Sequence, residues 1–348
     1  MLEKPAIPDE LILAGVQEQF QLQPSGLTFL PLGYDVNTAV YRLATVDGRK
    51  YFLKLRSGHF DPTSVTVPHL LKAQGIQAII APLMTHHEQP WGGLGEFKLI
   101  LYPFIEGQDG YQTALTTQQW LDFGRALKGI HTTQVPSELK QHFPYESYSP
   151  DWRAALRLFQ AQVEEIQYTE PVARKLAAFM RAKRDEISKV VERAEALSRG
   201  LQQQSPVLVL CHADIHPGNL LISPNGAIYI VDWDNPILAP KEKDLALVGG
   251  CPAWSNPHAE ALFFKGYGTA EINPIALAYY RFERIVQDMA EFCKQLLLTY
   301  EGGEDREQSF EYFASNFMPG HEIELASKHL LTAGDNMSQD KPGDQPSP

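Results

Sequence analysis

The chain is 348 residues long, 44% hydrophobic and 21% charged, with a formal net charge of -12. That length is large for one hydrophobic core and suits two lobes, and the acidic balance counts against a nucleic-acid or anionic-membrane partner, since either would call for a basic patch. Three cysteines, Cys211, Cys251 and Cys293, stand far apart with no CxxC pair, as expected of a reduced, cytoplasmic protein.

The first residues, MLEKPAIPDELILAGVQEQF, lack the charged-then-apolar layout of a signal peptide and read as an amphipathic helix starting near Pro8 and Asp9. From Leu27 to Ile105 short strand-like runs follow one another: LTFLPL, AVYRLATV, KYFLKLR, AIIAPLM and FKLILYPFI, with a helix over Ser64 to Gln74. This predicts a small antiparallel sheet with one helix. From Thr116 helices dominate, in TTQQWLDFGRALKGIHTT, SPDWRAALRLFQAQVEEI, the charged stretch Pro171 to Leu201, and ALAYYRFERIVQDMAEFCKQLLLTY. Strand-like residues at Val207 to Leu210, Leu220 to Ile222 and Ile228 to Val231 interrupt them. No apolar run approaches the length that spans a bilayer, and the last residues, AGDNMSQDKPGDQPSP, read as a disordered tail.

The interruption carries the most chemistry. LCHADIHPGNLLI (210–222) and YIVDWDN (229–235) place Asn219 five residues after Asp214, and Asp232 thirteen after Asn219. Phosphoryl transfer asks a protein for one carboxylate that orients and deprotonates the attacking hydroxyl, and for oxygen ligands that hold magnesium on the nucleotide phosphates. The spacing fits that set. A rival arrangement is a zinc or iron site, because alternate residues of an extended segment point the same way and His212, Asp214 and His216 would converge; it leaves Asn219 without a role.

Upstream, Lys54 stands in the apolar strand YFLKL, where a lysine must reach solvent or meet an anion, and a strand lysine after a hairpin loop is where kinases hold the α and β phosphates. The loop PLGYDVNT, with Gly33 and Asn37, lies where a nucleotide-covering loop belongs, although a single glycine leaves its backbone less free to wrap phosphates. LYPFIEG reads as a connector between lobes, with backbone groups at Pro103, Phe104 and Ile105 positioned to hydrogen-bond adenine.

YFLKL, LYPFIEGQDGY, YSPDWR, CHADIHPGN, YIVDWDNPILAPKEKDL, FFKGYG and YYRFERIVQD together resemble the aminoglycoside phosphotransferase family, and the last three point to its spectinomycin branch. The resemblance implies an α+β, bilobal, protein-kinase-like fold, with a small antiparallel-sheet lobe (1–105) that binds nucleotide, a larger helical lobe (106–335) for catalysis and acceptor binding, and a tail (336–348). It implies an ATP- and Mg2+-dependent enzyme that phosphorylates a hydroxyl of a small, cationic acceptor. Residue by residue, Asp214 resembles the catalytic base, Asn219 and Asp232 the magnesium ligands with Asp234 in support, and Lys54 the phosphate-binding lysine. His212 is expected to brace the loop, Trp233 to pack, and Asp244 to tie a helix start.

Two departures stand out. DPTSVTVPHLLKAQG contains no Glu to pair with Lys54, leaving Asp61 as the nearby substitute, and only six residues separate Asp232 from Ala239, too few for the long activation loop of a peptide kinase. For the acceptor, the late helix sets Tyr280, Arg284, Asp288 and Glu291 near one face and Phe282, Ile285, Met289 and Leu296 on the other. Asp288 and Glu283, with Asp109 or Tyr111, are the candidates to meet ammonium groups; the bland alternative is a solvated face with Arg284 and Asp288 as an i, i+4 pair. A kinase of a sugar, choline-like or amino-alcohol metabolite, and a nucleotide-binding pseudokinase, remain as alternatives, the intact Asp214, Asn219 and Asp232 counting against the second.

Overall fold

The structure, a computed structural model, describes residues 4–33, 37–300, 303 and 305–328; the expected tail and residues 34–36 of the PLGYDVNT loop lie outside them. The chain divides into two compact units. One comprises Met1–Tyr145, Val209–Leu238 and Leu262–Gly268; the other comprises Glu146–Leu208, Ala239–Ala261 and Thr269–Pro348.

In chain order the elements are α1 (Asp9–Phe20), β1 (Pro24–Leu30), β2 (Thr38–Thr45), β3 (Lys50–Arg56), α2 (Thr63–Ala73), β4 (Gly92–Leu94), β5 (Phe97–Pro103), β6 (Gln108–Asp109), α3 (Thr117–His131) and α4 (Ser137–Lys140). There follow α5 (Asp151–Glu165), α6 (Pro171–Ala182), α7 (Arg184–Leu201), β7 (Val209–Cys211), β8 (Leu220–Ile222), β9 (Ile228–Ile230), β10 (Ile237–Ala239), α8 (Glu242–Leu245), α9 (Pro257–Tyr267), α10 (Pro274–Leu298) and α11 (Asp305–Ser315). An antiparallel sheet in the first part and helices in the second make the expected α+β architecture.

In the first unit, five antiparallel strands run in the order β1-β2-β3-β5-β4. Strand alternation sends Leu53 and Leu55 of β3 into a core with Ile12 and Val16 of α1, Tyr41 and Leu43 of β2 and Leu99 and Leu101 of β5. Lys54, between them in sequence, projects to the opposite face, level with Val40 and Ile100 in the register. AIIAPLM, expected as a strand, is not one. Pro82 has no N–H to donate to a ladder, and the segment forms an isolated bridge from Ile79 to Ile230 and a hydrogen bond from the Leu83 N–H to the Leu101 carbonyl at 2.6 Å rather than a strand. The sheet's edge is instead β4, a Gly-Gly-Leu segment with no strand signature; a Cβ on Gly92 would lie 2.9 Å from the Gln19 side chain of α1, so the close approach of that helix requires glycine.

A second, three-stranded sheet, β6-β8-β9, carries the HxDxxxxN loop. Asn219 immediately precedes β8, Asp232 lies two residues beyond β9, and the Ile230 N–H donates to the Ala78 carbonyl at 2.8 Å. In the second unit, α5, α6, α7, α10 and α11 share a core that includes Leu156, Leu176, Ile187, Val191, Ile285, Val286, Met289 and Phe313. The charged stretch expected as one helical region breaks at Lys183 into α6 and α7. Tyr280, expected on the polar face of α10, is buried against Tyr148 and Tyr279. The cysteines are free and buried, and among the described residues no helix is long and apolar enough to cross a membrane.

Candidate active site

The loop after β7 is built around a fully buried imidazole. The backbone N–H of Asp214 donates to His212 Nδ1 at 3.2 Å, so Nδ1 is the unprotonated nitrogen, and Nε2–H then donates to the Val231 carbonyl at 2.9 Å. Both ring nitrogens are engaged, which leaves His212 no lone pair for zinc or iron and removes the rival metal site. Trp233, also buried, packs edge-on to that ring at 4.5 Å and donates from Nε1 to the Ile230 carbonyl.

Asp214 is bracketed by two side chains. Asn219 Nδ2 donates to the Asp214 carbonyl oxygen at 3.0 Å and to its Oδ2 at 3.2 Å. His216 Nε2 lies 3.6 Å from the same Oδ2, and its Nδ1 accepts the Gly218 N–H at 3.1 Å. The Asn219 amide thus faces Asp214 with its nitrogen, and its oxygen is the atom that would reach a cation. Gly110 N–H donates to the Pro217 carbonyl at 2.8 Å, and a Cβ on Gly110 would stand 2.9 Å from that oxygen. Only glycine allows the segment after β5 to lie this close to the loop. There Asp109 Oδ1 accepts the N–H groups of Tyr111 and Gln112, and the exposed Tyr111 ring sits 6.2 Å from that of His216.

Lys54 meets the carboxylates of the DWD segment. Its Nζ lies 3.0 Å from Asp232 Oδ1, 2.7 Å from Asp234 Oδ1 and 2.6 Å from Asp234 Oδ2. Burial works against the ammonium charge, but Asp232 and Asp234 outweigh it and hold the Lys54 pKa above its ordinary value. Burial, with the same two carboxylates, pushes the Tyr102 hydroxyl up as well. Asp61 does not approach as a substitute partner; its Oδ1 accepts the Thr63 N–H at 2.8 Å at the start of α2. Arg56, which the sequence reading passed over, donates from Nη1 to Asp234 Oδ2 at 2.9 Å. Its spacing from Lys54 was the available signal, since positions two apart on a strand share a face.

Of the other anticipated residues, Gly33 lies beyond the end of β1 with φ 90° and Asn37 accepts the Ser57 N–H at 2.9 Å through its carbonyl. The Phe104 N–H donates to the Lys50 carbonyl at 3.2 Å, so of the trio Pro103, Phe104 and Ile105 this donor is already in use. Glu283 and Asp288 belong to the second unit. Glu283 is paired there with the buried Arg153, Oε2 to Nη1 2.6 Å, and burial raises its pKa against the opposing pull of that guanidinium. Asp288 pairs with Arg284 at 2.8 Å, one turn away. Asp244 is buried at the front of α8.

The donor set around Asp214 suits a divalent cation of the hard type: oxygens from Asn219 and Asp232, with the Lys54 ammonium already resting on Asp232 as a cationic occupant. Residues 28–280 match the phosphotransferase enzyme family. The chain belongs to that family. It is 34% identical to a spectinomycin phosphotransferase crystallised with ADP and spectinomycin, over 94% of this chain and 99% of that one, with a TM-score of 0.87. An AMP-bound form of spectinomycin phosphotransferase gives 34% identity, coverage of 91% and 97%, and a TM-score of 0.82. A choline kinase from Streptococcus pneumoniae shares the fold at 15% identity, with coverage of 93% and 99% and a TM-score of 0.55. No curated protein sequence matches the chain. As a member of this family the protein is a small-molecule phosphotransferase.

Proposed function

We propose that this enzyme transfers the γ-phosphoryl group of ATP to a hydroxyl of an aminocyclitol antibiotic, spectinomycin being the acceptor best supported. The observation that carries the reading is the end-to-end likeness, at 34% identity, to a phosphotransferase whose crystals hold ADP and spectinomycin together. The grouping of Asp214, Asn219, Asp232 and Lys54 within one compact unit supports the phosphoryl-transfer part.

In this reading the acceptor hydroxyl is oriented by the Asp214 carboxylate, which takes its proton as the new O–P bond forms and the bond from the γ phosphorus to the bridging oxygen breaks, releasing ADP. Asn219 keeps that carboxylate aimed. The Asn219 oxygen and the Asp232 carboxylate would hold Mg2+, which would supply positive charge against the negative charge that develops on the phosphates. Lys54 supplies a fixed positive charge to the α and β phosphates. Adenine is taken by backbone groups at Pro103 and Ile105, with Gly33 and Asn37 on the covering loop. Asp109, Tyr111, Glu283 and Asp288 are the acceptor candidates. Glu283 is held in a buried pair with Arg153, whereas Asp288 pairs with Arg284 where both side chains are partly exposed, which makes Asp288 the stronger candidate to face an ammonium. Buried free cysteines fit a reduced, cytoplasmic setting.

A screen of ADP release in the presence of ATP and Mg2+ tests the proposal, with spectinomycin, other aminoglycosides, choline and ethanolamine as acceptors. Acceptor-dependent turnover with spectinomycin is the expected result. Turnover with choline or ethanolamine alone would move the enzyme to metabolite phosphorylation, and nucleotide binding without any turnover would make it a pseudokinase.

A further inference from the structure

In the protein-kinase arrangement a glutamate on the helix after the lysine strand holds that lysine in place. Here α2, TSVTVPHLLKA, carries no acid, and Asp61 is occupied by the Thr63 N–H at its start. The carboxylate that grips Lys54 comes from the other end of the unit's chain path, 180 residues on. Both oxygens of Asp234 lie within 2.7 Å of Nζ, and Oδ2 simultaneously accepts from Arg56 Nη1 at 2.9 Å. Arg56 is in turn tethered by Nε to the His59 carbonyl at 3.1 Å. Asp232 is placed differently. It touches Lys54 through Oδ1 alone at 3.0 Å, and its side chain is 49% exposed against 24% for Asp234.

Two aspartates separated by one residue therefore face one lysine with unequal commitments. Asp234 has both oxygens engaged by two neighbouring cations, whereas Asp232 can release Lys54 with a single bond broken. Trp233 between them is fixed by burial and by its bond to the Ile230 carbonyl, so the two carboxylates cannot exchange places.

We infer that Asp234, clamped by Arg56, is the positioning residue for Lys54, standing in for the missing helix acid, and that Asp232 alone passes from Lys54 to the nucleotide-bound cation. This rests on the phosphotransferase reading and departs from the expectation that Asp234 supports the metal directly. The Asp234–Lys54 bond persists when phosphate arrives, and Lys54 exchanges only its Asp232 contact for a phosphate oxygen. Removing the Asp234 charge leaves Lys54 and Arg56 as adjacent cations with no shared anion.

The test is a double-mutant cycle read by calorimetric titration of ATP in excess Mg2+, on the full chain. Asp234→Asn should weaken ATP binding about ten- to a hundredfold, the range for losing a charge-assisted pair, and Asp234→Glu should restore it to within a fewfold. In a Lys54→Met background Asp234→Asn should do nothing more, because Asp234 acts through Lys54. Titrating Mg2+ at saturating ATP should give the same midpoint in wild type and Asp234→Asn. Additive effects in the cycle, or a tenfold weaker Mg2+ midpoint in Asp234→Asn, would make Asp234 a metal ligand and overturn the inference. If Asp234→Asn does not fold, Arg56→Gln takes its place; weakened ATP binding restored by Arg56→Lys supports the clamp, and unchanged binding overturns it. A wild type that binds no ATP with Mg2+ would overturn the phosphotransferase reading and this inference with it, whereas additivity in a wild type that binds ATP sinks the inference alone.

Discussion

His212 donates from Nε2 to the carbonyl oxygen of Val231 at 2.9 Å, and each end of that bond adjoins a strained residue. Ala213, after the histidine, has φ 73°, and Asp232, after the valine, has φ 66°. Non-glycine residues in the left-handed region cost roughly 1–3 kcal/mol each and persist only where the surroundings hold them. One buried bond pins both turns, and so sets the directions in which Asp214 and Asp232 project.

His212→Ala should therefore lose more than one hydrogen bond. We expect a destabilisation of about 1–3 kcal/mol from the orphaned Val231 carbonyl and Asp214 N–H, and a fall in turnover beyond what reduced folding explains. Denaturant unfolding beside turnover at a temperature where both proteins are folded checks this. Unchanged stability would mean that the strained turns are held by other contacts.

Asp214→Asn should keep nucleotide binding and lower turnover by about 10²–10⁴-fold, the range for a positioned acid-base group. The Asn219 bond to the Asp214 backbone carbonyl is independent of that charge, so the loop should stay folded. Near-normal turnover would remove Asp214 from the centre of the reaction.

Gly110→Ala should cost about 1–3 kcal/mol, since the added Cβ would lie 2.9 Å from the Pro217 oxygen and the backbone must give way. Gly200→Ala is the matching control: it sits in α7 with nothing within 4 Å of a Cβ, and the change should stabilise by roughly 0.5–1 kcal/mol. Thermal melts of both variants decide whether steric conflict or glycine loss in general is at work.

A pH dependence arises at Glu170, which caps α6 by accepting the Ala173 N–H at 2.6 Å and pairs with the buried Arg306 at 2.9 Å. Burial opposes its charge, but the Ala173 N–H and Arg306 outweigh it and hold the carboxyl below its ordinary value of 4.5. A depressed folded pKa adds stability that is fully present above the unfolded value and is lost as pH falls through the folded one. The difference in unfolding free energy between wild type and Glu170→Gln should be greatest near neutrality and shrink below about pH 4.5. A difference constant down to pH 3 would deny the carboxylate its role.

Asp288→Asn should weaken spectinomycin binding far more than ATP binding, because a carboxylate facing a desolvated ammonium counts for more than an exposed pair. Two titrations, one per ligand, measure it. Equal small changes would return Asp288 to its pairing with Arg284 on a solvated face.

The elements that were legible share one property: a strong apolar signal confined to a short stretch of sequence. KYFLKLR and FKLILYPFI announce themselves as short runs rich in aliphatic and aromatic residues, and the α10 segment by helical spacing. AIIAPLM misled because its composition is that of a strand while Pro82 withholds a donor, and β4 was invisible because two glycines and a leucine carry no strand preference. Within the site, the HxDxxxxN spacing made Asp214 and Asn219 neighbours in advance. The partner of Lys54 was not readable, since a contact across 180 residues is set by how two sheets assemble. Arg56 was overlooked for the opposite reason: a surface-type residue two positions from a lysine looks ordinary until the aspartate between them is seen.

The pleat of β3 links electrostatics to architecture. Leu53 and Leu55 are fully buried on one face while Lys54 and Arg56 occupy the other, so a slip of one residue against β2 and β5 would carry both cations into the apolar core and take both leucines out of it. Such a slip loses the core and strands two charges together, which makes misregistered forms of this sheet prohibitively unfavourable. The same alternation that fixes the alignment of the sheet therefore delivers the ammonium to the aspartates.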